Sequence, residues 1–243
     1  MQTQSEIREL LESAGLSPLK AFGQNFLIDH NLMGKLLEMA NPSEAPVVLE
    51  VGPGTGSLTE ELLKAAPRLV SVEIDHGLGR LLADRLGGEA KFTLIRGDVL
   101  ADKHHISPEV LSAVGPTAHL VSNLPYNISV PLIAQCLTDS WQMLQPAHPT
   151  PLTRFDRLTF TVQKEVADRL LAGEGDEAYG PVSVIVGLLG RAVAGPIVPA
   201  SAFWPKPSIA SRIVRIDFDP TAAGQIRDVA VLGQIVNLAF SQR

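Results

Sequence analysis

Two spacings of apolar residues alternate along the first half of this chain. The short runs VVLEV (47–51), LVSVEID (69–75), KFTLIRGD (91–98) and HLVSN (119–123) are rich in β-branched residues and read as strands. Between them apolar positions recur at helical intervals, in SLTEELLKAA (57–66), in HGLGRLLADRL (76–86, weakened by its glycines) and over 130–144. Two earlier helical patterns, at 4–14 and 30–40, are joined by a polar link containing AFGQNFL. Strands alternating with helices predict βαβ units: an α/β fold with a parallel sheet and helices on both faces.

The second half reads differently. QPAHPTPLTRFDR (145–157) holds three prolines and is expected to be an exposed loop. RLTFTVQ (157–163) follows as a strand, KEVADRLLAG and YGPVSVIVGLLG as helices, and RAVAGPIVP and SRIVRIDFDP as closing strands. From Thr221 onward the pattern turns helical again, as a separate appendage.

Composition narrows the class. A chain of 243 residues with 45% hydrophobic and 19% charged residues suits a soluble globular protein with a sizeable core. No apolar run approaches the roughly 20 residues of a membrane span. The polar, amphipathic start MQTQSEIRELLESAG is not a secretory pattern, so a cytoplasmic location without membrane association is expected. Cys136 is the sole cysteine, which excludes an intramolecular disulfide and any multi-thiolate zinc site. His104 and His105 lack ligand spacing and read as loop residues, so no metal is expected. Net charge is -6, with 10 Lys+Arg against 17 Asp+Glu in residues 1–149 and 10 against 9 in residues 150–243. That balance argues against a nucleic-acid partner, which ordinarily calls for a basic footprint.

The candidate chemistry lies at the predicted strand ends. In VLEVGPGTGSLTEEL, Gly52, Gly54 and Gly56 follow a strand and precede a helix, where glycine permits positive φ and close approach of backbone to a ligand. The dinucleotide fingerprint needs a small residue at 57 with the third glycine on the helix, and Ser57 breaks it. Glu73, 21 residues past Gly52, stands where a carboxylate accepts from ribose hydroxyls, and Asp98 where one meets an adenine amino group. Taken singly, either acid could merely cap a strand end or a helix. Together, with no Walker lysine and no dinucleotide spacing, they favour S-adenosylmethionine over ATP or NAD.

The fourth strand stops at Asn123 and runs into Leu124, Pro125 and Tyr126. An exocyclic base amine is a poor nucleophile because its lone pair is delocalised. The Asn123 side-chain oxygen and the Leu124 carbonyl, aimed at its hydrogens, would favour the pyramidal, reactive geometry. Pro125 would fix the carbonyl's direction and Tyr126 would offer a stacking face. A plain proline turn with a buried tyrosine is the bland alternative.

Seven blocks in order, KAFGQNFLID (20–29), VLEVGPGTGSLTEEL (48–62), SVEID (71–75), GDVL (97–100), NLPYNISVPL (123–132), QKEVADRL (163–170) and VPASAFWPKPSIASRIVRI (198–216), resemble the rRNA adenine N6,N6-dimethyltransferases, in particular the bacterial 16S rRNA type. The resemblance implies a Rossmann-like class I methyltransferase sheet over 1–219, with 1–45 as a helical cofactor-lid segment and 220–243 as the start of a small helical RNA-binding domain, cut short. It sets Asn25 and Leu27 beside Gly52, Gly54, Glu73, Asp98 and Asn123 against S-adenosylmethionine. It also gives Tyr126 and Phe203 as the aromatics that hold the target adenine. The implied reaction is dimethylation of two adjacent adenines near the 3′ end of small-subunit rRNA in a 30S assembly intermediate, by a monomer. Three features depart from the family: Pro181 and Val182 replace an expected arginine and leucine, the loop 140–157 is long and proline-rich, and LAFSQR ends inside the expected helical domain. Two other readings stay open, an Erm-like large-subunit rRNA methyltransferase and an assembly factor on the same fold with little catalysis. A NAD oxidoreductase ranks last, because Ser57 spoils its fingerprint.

Overall fold

The structure, a computed structural model, describes residues 1–19, 23–102, 105–146, 148 and 151–241. The start of the KAFGQNFL block (20–22), His104, three positions of the proline-rich loop (147, 149, 150) and the final two residues lie outside the described residues.

In chain order the elements are α1 (Gln4–Ser13), β1 (Phe26–Leu27), α2 (His30–Ala40), β2 (Val48–Val51), α3 (Ser57–Ala65), β3 (Leu69–Glu73), α4 (His76–Leu86), β4 (Phe92–Arg96), β5 (Leu100–Asp102), β6 (His105–Ile106), α5 (Pro108–Val114) and β7 (Thr117–Asn123). They continue as α6 (Ser129–Gln142), β8 (Arg154–Gln163), α7 (Lys164–Leu171), α8 (Pro181–Leu189), β9 (Gly190–Val198), β10 (Phe203–Trp204), β11 (Ser211–Phe218), α9 (Pro220–Ala223) and α10 (Val229–Phe240).

Every residue of β2 and β3 is buried, including the polar Glu50, Ser71 and Glu73, so neither strand shows the alternation of a half-exposed one. Helix starts are set by side chains that accept orphan backbone N–H groups. Thr3 and Glu6 form a capping box on α1, and Asp29, Asp75 and Asp228 cap α2, α4 and α10.

The main sheet has the order β4-β3-β2-β7-β8-β11-β9, parallel from β4 through β8 and antiparallel at β11 and β9. From β2 the chain winds outward through β3 and β4, then returns to place β7 on the opposite flank of β2. That reversal is a topological switch point, and ligand crevices form there, at the carboxyl ends of the strands. Ladder pairing between β2 and β7 stops at Leu49 and Leu120, and the Ser122 hydroxyl donates to the Val51 carbonyl at 2.6 Å beyond it.

Successive β2 residues feed opposite faces. Leu49 and Val51 join a cluster with Leu132, Ile133 and Val186, whereas Val48 packs with Leu36, Leu58 and Leu62. A smaller cluster of Ile7, Leu11, Phe26 and Leu78 seats α1 and β1 on α4. Ala223 and Val229 carry α9 and α10 onto the larger cluster, and the Trp141 indole N–H donates to the Ile226 carbonyl at 3.0 Å.

The α/β architecture matches the sequence expectation, with differences that have local causes. β3 ends at Glu73 because Asp75 already caps α4. β8 begins at Arg154, inside the expected loop, because its backbone bonds to the start of β7 through Arg154 N and the Pro116 carbonyl at 2.9 Å. The hairpin of β5 and β6, helix α5 and the short pair of β1 and β10 carry too few residues for a periodicity to register.

Glu50, on β2, is an acid inside this apolar sheet, 1% exposed. Its Oε2 accepts from the Ser71 hydroxyl at 2.7 Å and the Thr59 hydroxyl at 2.9 Å. Burial outweighs these bonds and pushes its carboxyl up to about 7 from an ordinary 4.5. A raised folded-state value means that the protonated form is favoured in the fold, so its stability contribution is complete below 4.5 and lost as pH rises through 7. Glu50→Gln removes this titration while leaving an oxygen for both hydroxyls. In urea unfolding, the stability of the variant relative to the parent is expected to rise by about 2 kcal/mol between pH 5 and pH 8. An unchanged difference across that range would show that Glu50 does not titrate there.

Candidate active site

The turn after β2 is built from glycines that sterics require. Gly52 and Gly54 have φ of 69° and 62°, in the left-handed region. A Cβ on Gly52 would lie 2.9 Å from Pro125 Cγ, and one on Gly54 would lie 2.8 Å from Phe26 Cε1. The turn can therefore lie close against both the NLPY segment and β1 only without side chains.

Glu73, 4% exposed at the end of β3, holds that turn. Its Oε2 accepts from Gly54 N at 3.0 Å and its Oε1 from Asp75 N at 2.9 Å. Burial is the largest influence on its carboxyl and raises it, with the backbone donors opposing. Asp98, after β4, is exposed, and its Oδ1 accepts from Leu100 N at 2.9 Å.

Opposite the turn, β7 ends at Asn123. The Asn123 Nδ2 donates to the Asn25 carbonyl at 2.9 Å, and its Oδ1 accepts from the Thr161 hydroxyl. Leu124 N donates to the Thr161 carbonyl at 3.3 Å, and the Leu124 side chain is buried in the core. The Tyr126 phenol shares a hydrogen bond of 2.9 Å with the Ser211 hydroxyl, which fixes the ring from its far end. Burial raises the Tyr126 phenol, and the bond to Ser211 opposes it. The ring stays neutral at physiological pH.

Residues 23–27 form a strap that lines another side of the cavity. β1 pairs with β10, Phe26 opposite Trp204 and Leu27 opposite Phe203, and the Phe26 and Trp204 rings stack at 6.3 Å. The Arg8 guanidinium sits over Trp204 at 5.1 Å. Gln24 Nε2 donates to Asp75 Oδ2 at 3.0 Å, which ties the strap to the end of β3, and Asn25 Nδ2 donates to the Gly23 carbonyl at 2.9 Å.

These parts enclose a cavity of about 250 Å³. Ten of the residues singled out in the sequence line it: Asn25, Leu27, Gly52, Gly54, Glu73, Asp98, Asn123, Leu124, Pro125 and Tyr126. Phe203 does not. It is 2% exposed, pairs with Leu27 and packs with Val198 and Ala202, so its expected place beside the adenine rests on the resemblance alone. The aromatic on the cavity wall from this region is Phe26, brought there by the ladder with β10. Glu50 and Phe26 line the cavity and were not singled out, and neither was Thr161, which bonds Asn123. The first and last carried a usable signal, a polar residue inside a strand otherwise committed to burial. Among the described residues no group of three or more His, Cys, Asp or Glu could hold a metal ion.

Residues 17–243 match the family model described as ribosomal RNA adenine dimethylase. The ribosomal RNA small subunit methyltransferase A of Phenylobacterium zucineum is 39% identical over 244 residues, an alignment that covers 100% of this chain and 79% of that protein. The crystal structure of a dimethyladenosine transferase from Plasmodium falciparum superposes with a TM-score of 0.71 at 25% identity, over 89% of this chain and 70% of that one. The 23S rRNA methyltransferase ErmE shares the fold, with a TM-score of 0.67 at 24% identity over 89% of this chain and 79% of that one. With a glycine turn, two acids and an Asn-Leu-Pro-Tyr segment meeting at one crevice, and a family match from residue 17 onward, this chain belongs to the ribosomal RNA adenine dimethylases, which are S-adenosylmethionine-dependent methyltransferases.

Proposed function

We propose that this enzyme methylates N6 of two adjacent adenines near the 3′ end of small-subunit rRNA, as a cytoplasmic monomer acting on a 30S assembly intermediate. The observation that carries the reading is the meeting of Asn123–Tyr126 with the glycine turn across one switch point. The small-subunit name of relatives such as that of Phenylobacterium zucineum supports the choice of RNA. ErmE, at 24% identity, speaks for the fold and not for a large-subunit substrate.

The cavity suits S-adenosylmethionine. Its lining includes Glu73 and Asp98, two acids that offer acceptors to the donor's hydroxyl and amino groups. Bound there, S-adenosylmethionine would supply an activated methyl group that needs no covalent enzyme intermediate. Glu73 and Asp98 are assigned to its ribose and adenine, and Asn25, Leu27, Gly52 and Gly54 to close contact along it.

The remaining work belongs to the chain's own groups. In the first transfer Asn123 Oδ1 and the Leu124 carbonyl accept the two N6 hydrogens of the target adenine. In the second, one of them accepts the single hydrogen left, and each transfer releases one N6 proton to solvent. The acceptors draw the nitrogen toward a pyramidal geometry with the lone pair free. This help is catalytic to the extent that it strengthens toward the transition state. Tyr126 gives its face to the base, and stacking of roughly 1–3 kcal/mol offsets part of the cost of flipping it out. Residues 1–219 form the catalytic domain in this reading, with 1–45 as its cofactor lid, and 220–243 are an RNA-facing helical segment.

Two measurements test this account. With S-adenosylmethionine and 30S particles carrying unmethylated rRNA, Asn123→Ala is expected to lower kcat roughly 100-fold or more, read as dimethyladenine by mass spectrometry. Calorimetry should still detect donor binding, and unimpaired transfer would reject the mechanism. Tyr126→Ala should lower kcat/KM by about 10–100-fold, whereas Tyr126→Phe, which keeps the stacking face, should retain most of it. Equal losses in both variants would move the role from the ring to the hydroxyl.

A further inference from the structure

We propose that Thr161 is a positioning residue for methyl transfer: its buried hydroxyl, set beside Asn123 by a one-residue bulge in β8, locks the Asn123 amide with the oxygen toward the reacting amine. The proposal rests on the catalytic reading of Asn123 given above.

The bulge decides which residue stands next to Asn123. In the parallel ladder Ala118 faces Phe155, but the next residue, His119, faces Arg157, so Asp156 has no partner on β7. Beyond this step the register runs unbroken to Asn123 opposite Thr161. Had the offset of Ala118 and Phe155 continued, Asn123 would face Phe160, a core residue with no polar atom on its side chain. Bulges are found near active sites because one extra residue re-aims the side chains that follow. Here the extra residue is held locally: Arg154 Nε donates to Asp156 Oδ1 at 2.7 Å, and Phe155 N donates to the Ser140 hydroxyl at 2.8 Å.

Hydrogen-bond chemistry then fixes the amide. The Asn25 carbonyl can only accept, so the Asn123 group facing it at 2.9 Å must be the NH2. The oxygen is thereby turned to Thr161, whose hydroxyl must be the donor because the amide oxygen has no hydrogen. One lone pair of Oδ1 is used by Thr161 and one is left for the adenine amine. Without the threonine hydroxyl, the amide would be restrained on its nitrogen side alone.

The burial of Thr161 shows what its hydroxyl is for. The residue is 0% exposed near the end of β8, where valine has the same branching and would fill the same space. A hydroxyl there is costly unless it is bonded, and Asn123 is its partner. Its backbone adds to the same task, since the Thr161 carbonyl accepts from Leu124 N. Thr159, two residues earlier on the same face, is also buried, and its hydroxyl has no partner among the described residues. It therefore serves as the internal control.

The experiment compares Thr161→Val, Thr161→Ser and Thr161→Ala with Thr159→Val, each alone, and Thr161→Val also combined with Asn123→Ala. Steady-state kinetics on 30S particles with unmethylated rRNA give kcat and KM, calorimetry gives the Kd for S-adenosylmethionine, and thermal denaturation reports folding. Thr161→Val and Thr161→Ala should lower kcat roughly tenfold, with KM and Kd within about twofold of the parent. Thr161→Ser should retain kcat, Thr159→Val should leave it unchanged, and Thr161→Val should add nothing in the Asn123→Ala background. Because serine and alanine differ by the hydroxyl alone, their comparison decides the question even if valine perturbs the fold. Equal kcat for the serine and alanine variants overturns the role of the hydroxyl. Should Asn123→Ala itself leave transfer intact, the catalytic reading of Asn123 falls and this proposal with it. If Asn123→Ala abolishes transfer while Thr161→Ala does not reduce it, only the proposal for Thr161 is lost.

Discussion

The reversal of strand order between β2 and β7 is the constraint on which the site depends. Two parallel neighbours whose chains leave in opposite directions cannot both cover the crevice between their carboxyl ends. Pairing stops at Leu49 and Leu120, and the segments that follow, GPGTG and NLPY, approach each other over the gap. Gly52 against Pro125 is the point of nearest approach for which a side chain would have no room. The glycine turn and the NLPY segment therefore line one cavity, and their meeting follows from the sheet's winding more than from any single residue.

Around that gap the interior is unusually polar for a sheet with both faces covered. Glu50 is held by Ser71 and Thr59, Glu73 by backbone donors, Ser122 by the Val51 carbonyl and Asn123 by Thr161 and Asn25. Buried polar groups are tolerated when they are bonded, and once bonded they rigidify. Glu50, Glu73 and Asp98 all lie on the cavity wall. They also account for part of the acidic balance that, in the sequence alone, argued against an RNA partner.

How legible the site was depended on the range of the interactions. Asn123, Leu124, Pro125 and Tyr126 stood out because a strand that abandons β-branched residues for this tetrapeptide breaks its own pattern. Gly52, Gly54, Glu73 and Asp98 stood out by their offsets from predicted strand ends, and all of them reach the cavity. Phe203 was named from the family resemblance and not from a local pattern, and its burial beside Leu27 comes from the ladder of β1 with β10. Phe26 was missed because it is that same ladder that brings it to the cavity.

By itself the sequence determined where the longer strands and helices form, which turn must be glycine and which residues end the central strands. These are local matters of branching, positive φ and periodicity. Only the tertiary structure decided who stands beside whom. The one-residue bulge at Asp156 brings Thr161 rather than Phe160 to Asn123, and the two-residue pairing of β1 with β10 sets Phe26 on the cavity wall. Such choices rest on the register between segments remote in the chain, and a slip of one residue exchanges the faces of a strand while leaving its periodicity unchanged.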